Sequence, residues 1–187
     1  MSGSRPVLLV MDFQHGIVER FNSSTVVEAA DRAVKAARTA EIPVIFVRVA
    51  FRPGYPEIAD GNATFSAMAA SAGDQYTESH PATQVHAALQ PLDGETVVVK
   101  RRVSAFTGSD LDVLLRGQGA DTLVLSGIAT SGVVLSTLRQ AADLDYGLVV
   151  LSDACADADP EVHRVLTEKV FPRQAQVTTT DEWISTL

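Results

Sequence analysis

Apolar and polar positions along the chain switch between two periods, and each switch marks the start of a strand or a helix. Pro6–Met11 (PVLLVM) is an almost unbroken apolar run, as in a parallel strand covered on both faces, and it ends in Asp12-Phe13-Gln14. Asn22-Ser23-Ser24 offers an N-cap, after which Val26, Ala29, Ala33, Ala36 and Ala37 form the inner stripe of a helix ending near Ala40. Ile42–Val49 (IPVIFVRV) reads as the second strand and Thr96–Val99 (TVVV) as the third, closed by Lys100. Ser109-Asp110 caps a helix over Leu111–Gly117, with Leu111, Leu114 and Leu115 inward. Leu123–Leu125 is a fourth strand that stops at Ser126-Gly127, and Val134, Leu138, Ala141 and Ala142 then recur at helical spacing. Tyr146–Ser152 supplies the fifth strand, ending at Asp153-Ala154-Cys155-Ala156. Pro160 opens a helix through Lys169 as a first-turn proline, Gln176–Thr178 is a short sixth strand, and Asp181–Leu187 is a terminal helix.

Strands alternating with helices imply an α/β fold with three α/β/α layers, Rossmann-like, around a mainly parallel six-stranded sheet. Neither a repeat nor a linker interrupts the pattern, so a single domain over residues 1–187 is expected. The irregular stretch is Phe51–Pro91, with Arg52-Pro53-Gly54-Tyr55-Pro56, Gly61-Asn62 and the small-residue run Ser66–Gly73. Loops this long inside a domain are usually functional or mobile. We expect a partial lid with a short helix near Thr64–Ala70 and a helical turn at Val85–Leu89; a plain surface excursion is the alternative.

Composition narrows the function classes. With 46% hydrophobic and 20% charged residues the chain reads as globular, and no run approaches the ~20 apolar residues of a membrane span. The start, MSGSRPVLLVMDF, leads into a strand and not a signal peptide. One cysteine, Cys155, excludes an internal disulfide and fits a cytoplasmic setting. A net charge of −8 argues against nucleic acid as the main partner.

The candidate chemistry sits where strands end. In parallel sheets ligands bind beyond the carboxyl ends of the strands, where Asp12, Lys100 and the Gly127–Val133 turn all fall. A carboxylate closing a buried run is costly unless it meets a cation or opens into a cleft. The helix start at Ser131-Gly132 is poor in side-chain bulk, so its amides suit a carboxylate, a carbonyl or an oxyanion. An ordinary strand-to-helix turn accounts for that stretch equally well.

Together, Asp12-Phe13-Gln14, Lys100 with Ser104-Ala105-Phe106, Gly127-Ile128-Ala129-Thr130 with Thr137, and Asp153-Ala154-Cys155 carry a resemblance. In order and spacing the chain resembles the isochorismatase-like hydrolases, which include nicotinamidases, N-carbamoylsarcosine amidase and isochorismatases. The resemblance implies the strand order 3-2-1-4-5-6, Asp12 and Lys100 in hydrogen-bond reach, and a cis Ile128–Ala129 peptide. It also implies a homo-oligomer, with Phe51 and Tyr55 as candidates for burial at the subunit surface.

Amidases of this superfamily use an Asp–Lys–Cys triad, with helix-start amides stabilising the oxyanion. Asp12 and Lys100 match the first two members, but the nucleophile position, six residues after Gly127, holds Val133. Gln14, Phe106, Ala129, Thr130, Ser131, Gly132 and Val133 fall at the oxyanion and substrate-binding positions. Cys155 matches a structural segment and is expected to be a buried, inert thiol, with a nucleophilic role as the alternative. Isochorismatases proper also lack the cysteine and are thought to use the Asp to protonate a vinyl ether, but they carry glycine where Val133 fills the space. Metal-binding nicotinamidases place Asp-x-His after the second strand; here Phe51-Arg52-Pro53 follows, and His15, His80, His86 and His163 read as surface or helix-face residues. The resemblance therefore implies neither metal nor cofactor.

The expected function is hydrolysis of a small molecule without a thiol, using Asp12 as general acid/base with Lys100. The alternative is an inactive relative that binds a small carboxylate or amide, or serves in an assembly; a nucleophilic Ser131 is a further reading.

Overall fold

Strand β1 (Pro6–Met11) is buried from Val7 onward because it has a neighbour on each edge and helices over both faces. The computed structural model describes residues 4–21 and 23–187, and Asn22 of the expected cap lies outside them. β1 runs parallel between β2 (Val44–Val49) and β4 (Thr122–Ile128). Beyond β2 lies β3 (Thr96–Lys100), and beyond β4 lie β5 (Gly147–Ala156) and β6 (Gln176–Thr178), also parallel. The order is 3-2-1-4-5-6, as the resemblance implies.

Successive residues of the apolar strands divide between two layers. Leu8 and Val10 join the small inner stripe of α2 (Ser24–Thr39), Ala29, Ala30, Ala33 and Ala37, and Trp183 of α7 (Thr180–Ile184). Val7, Leu9 and Met11 join Leu111 and Leu115 of α4 (Leu111–Gln118) and Leu138 and Ala141 of α5 (Leu135–Asp143). From β1 the chain winds outward through β2 to β3, then returns to the other side of β1 as β4. The winding reverses between β1 and β4, which opens a crevice at their carboxyl ends. Gly127 permits their close approach: a Cβ there would stand 2.9 Å from the Met11 carbonyl oxygen and 3.2 Å from Val134 Cγ2.

Several elements differ from expectation. A short helix, α1 (His15–Phe21), follows β1 directly; its apolar Ile17, Val18 and Phe21 fit helical spacing, in a segment too short to stand out. Ser23 makes no side-chain cap to α2. β5 continues through Asp153-Ala154-Cys155-Ala156, with its register against β4 shifted between Leu125 and Gly127. The Asp153 carboxylate accepts from Thr180 N at 2.7 Å and Thr180 Oγ1 at 2.8 Å, which ties the extension to α7. The short helix expected near Thr64–Ala70 is present as α3 (Ala63–Ala72) and the turn expected at Val85–Leu89 as a 3-10 turn at Ala87–Leu89, while a further 3-10 turn at Pro81–Thr83 was not expected. α6 (Pro160–Val165) runs on through a widened turn at Leu166–Val170. Phe51 is buried within its own chain, edge-on to Phe65 at 5.4 Å, so its side chain is not open to a subunit surface. No helix of the described residues is long and apolar enough to cross a membrane.

Candidate functional site

At the end of β1 the Asp12 amide bonds to Val47 O at 2.8 Å, and the residue then adopts φ 60°. That left-handed region is uncommon for a residue with a Cβ, though Asp enters it more readily than most. Lys100 closes β3, and its Nζ stands 2.9 Å from Asp12 Oδ2. The same ammonium donates to Arg102 O at 3.0 Å and Val103 O at 3.1 Å, so its three protons each have an acceptor. The pair is interior, with 2% of Lys100 and 5% of Asp12 exposed. Asp12 Oδ1 is buried and has no hydrogen-bond partner among the described residues. Burial raises the Asp12 carboxyl above its ordinary value, and the charge and hydrogen bond of Lys100 oppose that rise.

Both side chains line a cavity of about 270 Å³. Ile128, Ala129, Gly132 and Val133 form one wall, and Ile17, Arg20 and Phe21 of α1 another. Thr64, Phe65 and Met68 of α3, with Tyr76, close it from the long segment, which therefore covers the site. That cover is latched to the rim. Arg101 pairs with Glu57 at 3.3 Å and with Glu78, while Arg102 Nη2 donates to Glu57 O at 2.7 Å. A hollow of about 480 Å³ lies at the other end of the sheet, but its Arg5 and Glu41 are exposed; the buried ion pair belongs to the smaller cavity.

The turn after β4 is a widened (π) turn over Thr130–Val134, preceded by a cis Ile128–Ala129 peptide. Ala129, Gly132 and Val133 reach the cavity wall. Thr130 is fully buried, with its hydroxyl 2.8 Å from His163 Nδ1, and the Ser131 amide donates to Asp157 Oδ2 at 2.7 Å. His163, expected as a surface or helix-face residue, lies on α6 and is a half-buried brace for the turn, and burial lowers its imidazole pKa below the ordinary value.

Four expected site residues lie outside the cavity wall: Thr130 and Ser131, held by the contacts just given, and Gln14 and Phe106. The Gln14 amide donates to Val49 O and Thr83 O, both at 2.9 Å, and accepts from Val49 N at 2.8 Å. It is spent on pinning the end of β2 to the covering segment. Phe106 lies in the apolar layer on the α4 and α5 side, stacked with Tyr146 at 6.2 Å. Cys155 sits in that same layer, its thiol pushed up to about 12 by burial. Among the described residues no group of three His, Cys, Asp or Glu side chains is arranged to hold a metal ion. Arg20, Phe65, Met68 and Tyr76 were not singled out from the sequence; the expected lid helix near Thr64–Ala70 spans Phe65 and Met68, and the short helical pattern of α1 was the signal for Arg20.

The isochorismatase domain profile matches residues 6–182. The uncharacterized isochorismatase family protein YecD of Escherichia coli O157:H7 is 34% identical over 191 aligned residues, 100% of this chain and 98% of that protein. Ureidoacrylate amidohydrolase RutB of Pseudomonas syringae pv. syringae (strain B728a) is 36% identical over 150 residues, 75% of this chain and 61% of that protein. Among solved structures, an isochorismatase family protein from Desulfovibrio vulgaris subsp. vulgaris str. Hildenborough aligns with a TM-score of 0.88 at 26% identity, covering 98% of each chain. A profile that runs from the first residue of β1 to α7, on a sheet of this order, settles the kinship: the chain belongs to the isochorismatase family.

Proposed function

We propose that the protein hydrolyses a small molecule in the Asp12 cavity without a covalent thiol intermediate, with Asp12 as general acid/base and Lys100 as its electrostatic partner. The observation that carries this reading is Asp12, a residue of the cavity wall whose buried carboxylate oxygen Oδ1 has no partner among the described residues. Lys100 holds Oδ2, which leaves Oδ1 for a proton. By the resemblance, Val133 stands where the family's amidases carry the attacking cysteine, and a valine has no nucleophilic atom. Water is then the nucleophile. On an amide or ester, Asp12 Oδ1 takes a proton from the water as its oxygen adds to the carbonyl carbon. The same proton passes to the leaving nitrogen or oxygen as the bond to carbon breaks. On a vinyl ether the order reverses: the neutral carboxyl protonates the alkene carbon, water adds to the resulting oxocarbenium ion and returns a proton to Asp12, and the hemiketal so formed expels the alcohol to leave a carbonyl compound. The raised carboxyl pKa supports the acid role, and the RutB relative's name supports hydrolysis of small amides.

The aliphatic Val133 in the wall favours a second reading, binding without turnover. A panel of amides, esters and vinyl ethers, run with the wild type and Asp12→Asn, separates the two. We expect one class to be turned over and the rate to fall by about 10²–10⁴-fold in Asp12→Asn. Turnover that survives Asp12→Asn refutes the role of Asp12; saturable binding with no turnover selects the second reading.

A further inference from the structure

The wall that Ala129, Gly132 and Val133 give the cavity is held from behind. Thr130, the first residue of the widened turn, sends its hydroxyl toward α6, where His163 Nδ1 at 2.8 Å is its one hydrogen-bond partner among the described residues. The next amide, Ser131 N, donates to Asp157 in β5's connection to α6. His163 is itself fixed: its amide bonds to Asp159 O at 3.1 Å, and its carbonyl accepts from Thr167 Oγ1 at 2.9 Å.

Because Thr130 is fully buried, the direction of its bond follows from a count of protons. A hydroxyl brings one proton, and an imidazole nitrogen brings either a lone pair or a proton. If Nδ1 carried a proton, the hydroxyl proton would be left without an acceptor in a place closed to water, and such an unmade bond is costly. The hydroxyl therefore donates to a bare Nδ1, and the ring proton stays on Nε2. We propose that His163 is a positioning residue for the cavity: its neutral imidazole holds Thr130, and with it the wall at Ala129, Gly132 and Val133, and protonation of the ring releases that wall. The proposal goes beyond the reading of Asp12 and does not rest on it, since binding needs the wall as much as turnover does.

The surroundings set where the release falls. Burial lowers the His163 value, and the Asp157 carboxylate, which faces the ring, opposes this. Asp153 of β5, with Arg164 and Glu168, shares a hollow of about 350 Å³ with the ring. Asp153 is engaged by Thr180, and Arg164 by Glu161 and Glu168. The turn itself, Thr130–Val134, carries no titratable side chain. The native state thus takes up this proton at lower pH than the unfolded chain, whose histidines titrate at about 6.5. The hold on the turn is full above that value and is lost as pH falls through the folded one.

Long-range proton–nitrogen spectra of the imidazoles, assigned by the peaks missing in His163→Asn, report the state of each His163 nitrogen. We expect the Nε2–H form at pH 7.5. Exchange of the Ser131, Gly132 and Val134 amides, corrected for intrinsic rates, should quicken by about tenfold from pH 7.5 to pH 5.5 while β1 keeps its protection. In His163→Asn the side-chain oxygen stands near the place of Nδ1 and does not titrate, so protection should persist and lose its pH dependence. In His163→Leu and Thr130→Val the bond is absent, and exchange should be fast at both pH values. A proton on Nδ1 at pH 7.5, wild-type exchange that ignores pH, the same acid response in His163→Asn, or protection kept in His163→Leu overturns the proposal. Wild-type exchange decides even where a variant does not fold. No readout uses turnover, so failure of Asp12 as acid/base would leave each of them unchanged.

Discussion

Replacing Lys100 by methionine tests the buried ion pair without any knowledge of the substrate. Methionine keeps the length and the apolar stem but removes the ammonium, and with it the bonds to Asp12, Arg102 O and Val103 O. Asp12 would then be a buried carboxylate without its cation. Breaking a buried pair from one side costs about 3–5 kcal/mol. In a chain of 187 residues each kcal/mol shifts Tm by about 2–4 °C, so a fall of roughly 6–20 °C is expected near pH 8. The pH dependence carries the sharper information. The Asp12 pKa in the folded protein lies above 3.8, so the native state keeps this proton to higher pH than the unfolded chain does. Stability from this group is therefore full below the unfolded value and is lost as pH rises through the folded one. Without Lys100 that folded value moves higher still, and the loss deepens. The gap between wild type and Lys100→Met should widen from pH 5 to pH 8. Urea unfolding, followed by the fluorescence of the buried Trp183, measures it at each pH. Asp12→Asn/Lys100→Met completes the cycle, asparagine being chosen because it tolerates the left-handed backbone at position 12. The double variant should cost less than the sum of the singles by about 2 kcal/mol. A gap independent of pH, together with additive single effects, would show that the two charges do not stabilise each other and would refute the reasoning.

Other consequences are open to direct measurement. Val133→Cys should give a thiol that alkylates faster than Cys155, because it stands in the wall beside Lys100; equal rates by intact mass would mean that position 133 does not feel the site. Cys155 itself should resist iodoacetamide at pH 8 in the native protein and react on unfolding, its thiol having been pushed up to about 12. Gln14→Leu leaves Val49 N, Val49 O and Thr83 O without their side-chain partner and should cost about 2–4 kcal/mol in urea unfolding. Asp153→Ala removes the acceptor for both Thr180 donors and should speed amide exchange across Thr180–Ile184 while sparing β1.

The sheet was legible because each parallel strand needs apolar residues on both faces, and runs such as Pro6–Met11 have few other uses. Strand order was not in the periodicity; it came with the family resemblance. The errors fall where a tertiary contact decides. β5 runs past Ser152 because Asp153 finds donors at Thr180, far along the chain. α1 is too short for its period to register, and tertiary packing, not propensity, holds such a helix. Gln14 read as a ligand-facing amide, yet its donors and acceptor match backbone groups of β2 and the covering segment, which no local pattern announces.

The two ends of the cavity were unequally visible for a physical reason. A charge that closes an apolar strand has few inexpensive explanations, so Asp12 and Lys100 declare themselves in one dimension. An arginine on a short polar-faced helix has many, and Arg20 is ordinary until its surroundings are known. What brings it to the site is a relation between elements: α1, Tyr76 and the rim of the Asp12 cavity meet around it. Chemistry that depends on desolvation leaves a mark in the hydrophobic pattern, because burial is what the pattern records. Recognition at a half-open mouth leaves none, since an exposed cation costs the fold almost nothing wherever it stands. Relatives that share Asp12 and Lys100 can therefore differ in substrate through α1 and the covering segment alone, and those are the positions at which to look for specificity.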